Sequence, residues 1–169
     1  MYFIRHARQT HHNTDADIHP LTQRDVRHLQ KLPSPDRLVV SPYLRTRETA
    51  LQIVKLLDLY LEYELEPRLG EFAQYSIQKS TQEAGGRIWP GANSKSASVR
   101  APVYTEWSSG VKKAYQDLEK EDGVTWVVTH SMVVKWVDEH TTGSTRYRRA
   151  REYPHLSVIS NEGEFFSPK

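Results

Sequence analysis

Cysteine is missing altogether from this 169-residue chain, which excludes disulfides and thiolate chemistry and leaves the redox compartment open. Long apolar runs are missing as well. Apolar residues make up 37% of the chain, mean hydropathy is −0.69, and no stretch approaches the roughly 20 apolar residues of a membrane span. No charged-then-apolar leader opens the sequence, because a strand pattern begins at once with Met1-Tyr2-Phe3-Ile4. The expectation is therefore a polar, cytoplasmic protein without a membrane partner. An excess of one charge is lacking too: 23 basic residues face 21 acidic ones, a net charge of +2, so no nucleic-acid partner is expected. The basic run Arg146-Tyr147-Arg148-Arg149-Ala150-Arg151 reads as a solvated loop, with a phosphate-steering rim as its alternative. His11, His12 and His19 match no standard metal-ligand spacing and have no paired acid to complete a set, so neither a metal nor another cofactor is expected.

What is present is an alternation of strand-like and helix-like stretches, which predicts a three-layer α/β/α fold with a mostly parallel central sheet. Tyr2 to Ile4 is the first strand, and the polar stretch from His11 to Pro20 is a loop. Thr22 with Asp25 resembles a capping box, and Val26, Leu29 and Leu32 continue one helical face. Leu38-Val39-Val40 is a short buried strand. Ser41 and Pro42 then read as N-cap and first position of a long helix, with Leu44, Ala50, Leu51, Val54 and Leu56 or Leu57 as its apolar stripe. Leu61 to Leu65 alternates as a half-exposed strand, and residues of about 72–102 form an excursion from the sheet. A helix from Val103 to Glu121, a strand from Val124 to Thr129, a helix from Met132 to Glu139 and two closing strands (Leu156 to Ile159, Glu164 to Phe166) complete a single domain over 1–169.

Arg5-His6 stands at the end of the first strand, where open parallel sheets bind ligands. Three later segments carry compatible chemistry: Ser41-Pro42-Tyr43-Leu44-Arg45, Leu69-Gly70-Glu71 and Val127-Val128-Thr129-His130. Together they hold two histidines, two arginines and one carboxylate, a set suited to handling a phosphoryl group. His130 ends a strand that a parallel sheet aligns with Tyr2 to Ile4, so both histidines are expected to face one crevice.

These segments resemble the histidine phosphatase superfamily, in its phosphoglycerate-mutase-like branch. Phe3-Ile4-Arg5-His6-Ala7 is similar to the Leu-x-Arg-His-Gly signature, and Pro20-Leu21-Thr22 to the Pro-Leu-Thr before the first helix. Ser41 to Ala50 resembles Ser-Pro-x-x-Arg-Ala-x-x-Thr-Ala, Arg68-Leu69-Gly70-Glu71 resembles Arg-Leu-x-Glu, and Val128-Thr129-His130 the second-histidine strand. The resemblance implies that His6 takes the phosphoryl group, that Arg5, Arg45 and His130 surround the phosphate oxygens, and that Glu71 protonates the leaving group. Thr10 and Ser131 join the substrate-binding candidates. A neutral imidazole is nucleophilic near neutral pH, and Arg5 and Arg45 are expected to keep His6 unprotonated. Guanidinium forks match phosphate oxygens bidentately. Glu71, beside those cations, is expected to take up its proton only with the phosphate dianion in place.

Departures from the family pattern leave the phosphate pocket itself in place and alter the substrate walls. Ala7 replaces Gly, Arg8 to Asn13 runs one residue longer than the usual Glu-Thr-x-x-Asn, Phe72-Ala73-Gln74-Tyr75 replaces a Gly-rich segment, and Ser131-Met132 stands where Gly-Gly is common. Trp89, Trp107 and Tyr75 either line a pocket in the excursion or pack it. The reading is a metal-independent phosphatase that hydrolyses small phosphomonoesters through phosphohistidine on His6. A mutase is disfavoured by the gap of about sixty residues between Glu71 and His130. A protein phosphohistidine or phosphotyrosine phosphatase, or a phosphate-binding regulatory module without turnover, are the alternatives. Substrate and oligomeric state stay open.

Overall fold

The computed structural model describes residues 1–10, 18–72, 75, 97–144, 146, 147 and 149–168, with the side chains of 97–102 and 151 outside the description. Six strands form one sheet in the order β3-β2-β4-β1-β5-β6. They are β1 (Tyr2–Arg5), β2 (Arg37–Val40), β3 (Tyr63–Leu65), β4 (Thr125–Thr129), β5 (Val158–Ser160) and β6 (Phe165–Phe166). The first four run parallel; β5 pairs antiparallel with β1, and β6 antiparallel with β5 at the edge, so that β5 alone opposes the direction of the rest. The mostly parallel sheet is thus as the alternation of elements predicts.

The period-2 alternation of each buried strand sorts its side chains onto two faces. Phe3, Val39, Val127 and Ile159 face one cluster, which includes Trp107, Val111 and Ala114 of α3 (Ala97–Glu119) and Val133, Val134 and Val137 of α4 (Ser131–Thr142). Ile4, Leu38, Val40, Trp126, Val128 and Val158 face the other, with Val26 of α1 (Gln23–Val26) and Ala50 and Ile53 of α2 (Leu44–Leu56). Two helical layers therefore sandwich the sheet. β3, at the edge, is more exposed than its alternation predicts: Tyr63 is partly buried, while Glu64 and the apolar Leu65 are exposed.

Several boundaries differ from expectation. The first helix is a single α turn followed by a 3-10 turn at Leu29–Lys31. Val26, Leu29 and Leu32 are nonetheless all buried. The Asp25 carboxylate accepts from the Thr22 N–H and hydroxyl at 2.7 Å each, the acidic half of a capping box. α2 starts at Leu44 behind Tyr43, not at Pro42 behind Ser41, because the Ser41 hydroxyl is committed elsewhere. Its buried face is Arg45, Thr46, Thr49, Ala50 and Ile53. Leu51, expected in the apolar stripe, is 55% exposed. The phase shifts because the first turn turns polar groups inward, where the site lies. α3 begins at Ala97, inside the span expected to be an excursion; most of that excursion, Trp89 included, lies outside the described residues.

The basic run after α4 is not simply a solvated loop. Asp138 on α4 is completely buried. Its carboxylate accepts from the Tyr153 hydroxyl at 2.5 Å and the Arg146 backbone N–H at 2.8 Å, with Arg146 Nε at 3.3 Å. The Arg146 guanidinium also lies 5.3 Å from the Phe165 ring centre. This network ties the 143–157 loop to α4. Removing Asp138 leaves the buried Tyr153 hydroxyl and the Arg146 N–H without their acceptor, which costs about 1–3 kcal/mol. Asp138→Ala is predicted to lower stability by that amount, read as a fall in the urea midpoint at unchanged slope.

Candidate active site

The site grows from the level ends of three parallel strands. Arg5 stands opposite Thr129 in the β1–β4 ladder. One step on, the His6 N–H donates to the Thr129 carbonyl at 2.8 Å, and the Ser41 N–H donates to the Val128 carbonyl at 3.1 Å. His6, His130 and Ser41 are thereby neighbours at the carboxyl ends of β1, β4 and β2. The two imidazoles lie 5.3 Å apart, edge to face. His6 is 5% exposed and His130 fully buried.

Hydrogen bonds fix the tautomer of each ring. His6 Nδ1 lies 2.7 Å from the Ala7 carbonyl. A carbonyl only accepts, so Nδ1 carries the proton and Nε2 keeps its lone pair. His130 is the reverse. Its Nδ1 lies 3.2 Å from Arg45 Nη2, and a guanidinium only donates, so Nδ1 accepts. Nε2–H then donates to Ser41 Oγ at 2.7 Å. Ser41 passes its proton toward Thr46 Oγ1 at 3.0 Å, and the Thr46 hydroxyl donates to the carbonyls of Ser41 and Tyr43, both at 2.7 Å. The hydroxyl expected to cap α2 instead orients His130.

Both rings titrate well below the usual 6.5. For His6 burial is the leading cause, the Ala7 hydrogen bond opposes it, and Arg45, Arg5 and His155 add to it. For His130 burial leads again, followed by His6, Arg45 and Arg5. The arginines therefore do act as expected, but desolvation does more.

Arg45 sits in the first turn of α2 and is 2% exposed. Its guanidinium pairs with the Glu71 carboxylate and lies 5.0 Å from the Tyr43 ring centre. Tyr43 in turn packs edge-on to His130 at 5.1 Å. Arg5 donates through Nη1 to the Tyr153 carbonyl, and burial lowers its pKa to about 10, with Glu71 acting in the opposite direction. Glu71 Oε2 is 3.7 Å from His130 Nδ1. The backbone that carries it is fastened on both sides: Thr129 Oγ1 donates to the Leu69 carbonyl at 2.8 Å and Trp107 Nε1 to the Gly70 carbonyl at 2.9 Å. A Cβ at position 70 would lie 3.0 Å from the Tyr43 ring, so any side chain there would have to displace that ring. The Ala7 N–H donates to Thr49 Oγ1 at 3.0 Å, which fixes the turn after His6 to α2.

The structure thus brings together Arg5, His6, Arg45, Glu71 and His130. Ser131 is buried as the first residue of α4. The N-termini of α2 and α4 both end at this cluster and favour an anion there. Thr10 is exposed at the edge of residues 11–17, and His11, His12 and Asn13 lie outside the described residues. Among the described residues no group of three His, Asp or Glu side chains is placed to hold a metal ion, and no helix is long and apolar enough to cross a membrane. Beside Glu71, Tyr43, Gly70, Tyr75, Glu106 and Trp107 help line a cavity of about 480 Å³. Trp107 and Tyr75 therefore both pack against the core and line a cavity.

His155 joins the site without any signal in the sequence. Its ring lies 5.6 Å from that of His6, and its Nδ1–H donates to the His6 carbonyl at 3.1 Å. It follows Pro154 in a loop with no periodicity, so nothing local points to it. Ser41, Thr46 and Trp107 as supports of the site are equally invisible without the pairing of β1, β2 and β4.

The pattern of the histidine phosphatase superfamily (branch 1) matches residues 1–162. None of the curated proteins matches the sequence. Among solved structures, the phosphoglycerate mutase of Bacillus anthracis str. Sterne superposes with a TM-score of 0.61 at 16% identity, covering 98% of this chain and 89% of the other. A phosphoserine phosphatase mutant of Entamoeba histolytica, in complex with phosphoserine, gives 0.58 at 16% identity, covering 98% and 92%. The phosphoglycerate mutase of Thermus thermophilus gives 0.51 at 19% identity, covering 94% and 90%. At these identities the neighbours establish the fold.

Two imidazoles held neutral by burial make the fold sensitive to acid. In the unfolded chain both titrate near 6.5, while in the folded chain both titrate lower. Below pH about 6.5 the unfolded state binds more protons, so stability falls as pH falls, with a limiting slope of about 2.7 kcal/mol per pH unit for two groups. The urea midpoint should drop between pH 7.5 and 5.5, and His6→Gln/His130→Gln should flatten that drop. An identical pH dependence in the double variant would contradict the neutral assignment.

Proposed function

The chain belongs to the histidine phosphatase superfamily, and from that premise we propose that it is a metal-independent phosphatase acting on a small phosphomonoester through phosphorylated His6. The observation that carries this reading is the Nδ1–H bond of His6 to the Ala7 carbonyl, which leaves the Nε2 lone pair within a buried cluster bearing Arg5 and Arg45.

In the first step Nε2 of His6 forms a bond to phosphorus as the bond to the leaving oxygen breaks. The transition state spreads negative charge over the equatorial oxygens, and a preorganised cationic cradle stabilises it. Arg5 and Arg45 supply that charge, so the chemistry requires no metal from the chain. His130, its Nε2–H held by Ser41, presents Nδ1 toward Arg45 and Glu71. Glu71 gives its proton to the leaving oxygen. Substrate dianion competes for Arg45, loosens its hold on the Glu71 carboxylate and repels that carboxylate, which favours proton uptake at this point of the cycle. In the second step Glu71 takes the proton from a water whose oxygen attacks phosphorus, and the N–P bond breaks to return neutral His6. Splitting hydrolysis in two replaces one hard displacement by two easier ones. The aromatic cavity beside Glu71 is the place for the substrate beyond its phosphate.

p-Nitrophenyl phosphate tests this reading. Turnover at pH 5 to 8 should persist in excess chelator and fall about a thousandfold or more in His6→Ala. Arg45→Ala should lose about a hundredfold or more. Glu71→Gln should lower kcat/KM for an alkyl phosphate about a hundredfold while sparing kcat/KM for p-nitrophenyl phosphate, whose leaving group needs little protonation in the first step; kcat should fall for both, because Glu71 also serves the water of the second. Activity that survives His6→Ala would overturn the route.

A further inference from the structure

A second cluster of cations lies outside the site already described. Arg24, Arg27, His28 and Lys31 follow one another at spacings of three, one and three residues through α1 and the 3-10 turn after it. Residues three and four apart share one side of such a turn. With Ser167 and Pro168 these four line a cavity of about 470 Å³, within the size range of small-molecule sites. Among the described residues no side-chain carboxylate contributes to its lining. The acidic residue within the stretch, Asp25, has its carboxylate bound to the Thr22 N–H and hydroxyl. Arg24, Arg27 and Lys31 are exposed at the cavity mouth, and among the described residues none is engaged in an ion pair.

The sheet register locates this cavity. Phe166 pairs with Val158, and Val158 with Ile4. Ser167 therefore emerges at the end of the sheet that carries His6, two strands away, about 10 Å to the side at the usual strand spacing. His28 marks the boundary between the two. Its Nε2–H donates to the Leu156 carbonyl at 2.7 Å. The neighbouring His155 contacts His6, and the Leu156 N–H donates to the Arg5 carbonyl at 3.0 Å. Leu156 itself sits at φ 60°, a left-handed conformation that leucine adopts only under constraint. The cavity shares no lining residue with the catalytic cluster, yet one loop separates them.

We propose that this cavity is a second anion site, distinct from the catalytic cluster, for a small phosphorylated molecule with at least two negative charges. Two guanidiniums present bidentate donors to phosphate oxygens, the Lys31 ammonium adds a third charge, and the Ser167 hydroxyl can donate to a remaining oxygen. The assignment is independent of the reaction proposed at His6.

The test uses the full-length protein, labelled with 15N, and methylenediphosphonate as a non-hydrolysable probe at 0.15 M salt. Saturable shifts are expected for the amides of Arg24 to Lys31 and for Ser167. They should persist in Arg45→Ala, which weakens only the catalytic cluster. Arg24→Ala/Arg27→Ala should lower the affinity about tenfold or more, with the urea midpoint unchanged because both side chains are exposed. Its turnover of p-nitrophenyl phosphate without the probe should match wild type. Lys31→Glu provides a second variant and should weaken binding in the same direction. Shifts reproduced by sodium chloride at matched ionic strength, equal affinity in the variants, stronger binding of citrate than of the diphosphonate, or shifts that vanish in Arg45→Ala would each overturn the proposal.

Discussion

Everything in the site depends on the parallel pairing of β1 with β4. The ladder places Arg5 opposite Thr129, and one further hydrogen bond, from the His6 N–H to the Thr129 carbonyl, carries the alignment past the strand ends. A slip of one residue would send His6 and His130 to opposite faces. That slip is prevented by the core itself, because it would also turn Phe3, Val127, Ile4 and Val128 out of their clusters. The hydrophobic sorting of a few β-branched and aromatic side chains thereby fixes the distance between two imidazoles.

Burial then sets the chemistry of those imidazoles. Taking a charged ring out of water is costly, so both histidines stay neutral, and each neutral ring must choose a tautomer. The Ala7 carbonyl decides for His6, and the Arg45 guanidinium decides for His130. The arginines meanwhile remain cationic, since even the lowered pKa of Arg5, about 10, lies far above neutrality. The result is positive charge beside an uncharged nucleophile, with one carboxylate at the partly open side. The Asp138–Tyr153–Arg146 network supports this from behind. It anchors the loop whose Tyr153 carbonyl receives Arg5 and whose His155 meets His6.

Much of this is legible in the sequence, and the reasons for the failures are physical. The strands β1, β2 and β4 announce themselves because strands buried on both faces are short and continuously apolar. Arg5, His6 and His130 stand out because they sit at the ends of buried strands, Arg45 because it opens the helix after one, and Glu71 through the family resemblance of Arg68-Leu69-Gly70-Glu71. Ser41 misleads because a serine before a proline is an ordinary helix start, and only the pairing of β2 with β4 shows its hydroxyl beside His130. The stripe of α2 is misphased at Leu51 because a helix end that buries Arg45, Thr46 and Thr49 breaks the apolar rule used to find it. His155 and Asp138 escape a local reading for one shared reason: their partners, His6 and Tyr153, are respectively 149 and 15 residues away along the chain.

Transfer of a phosphoryl group to His6 Nε2 is tested best by direct capture of that intermediate. Protein mixed with p-nitrophenyl phosphate, quenched in alkali within the first turnovers and digested, would be mapped by mass spectrometry. One phosphoryl group per chain is expected on His6, stable to alkali and lost in acid. A phosphoryl group on a serine, a threonine or another histidine, or turnover with no phosphorylated protein, would contradict it.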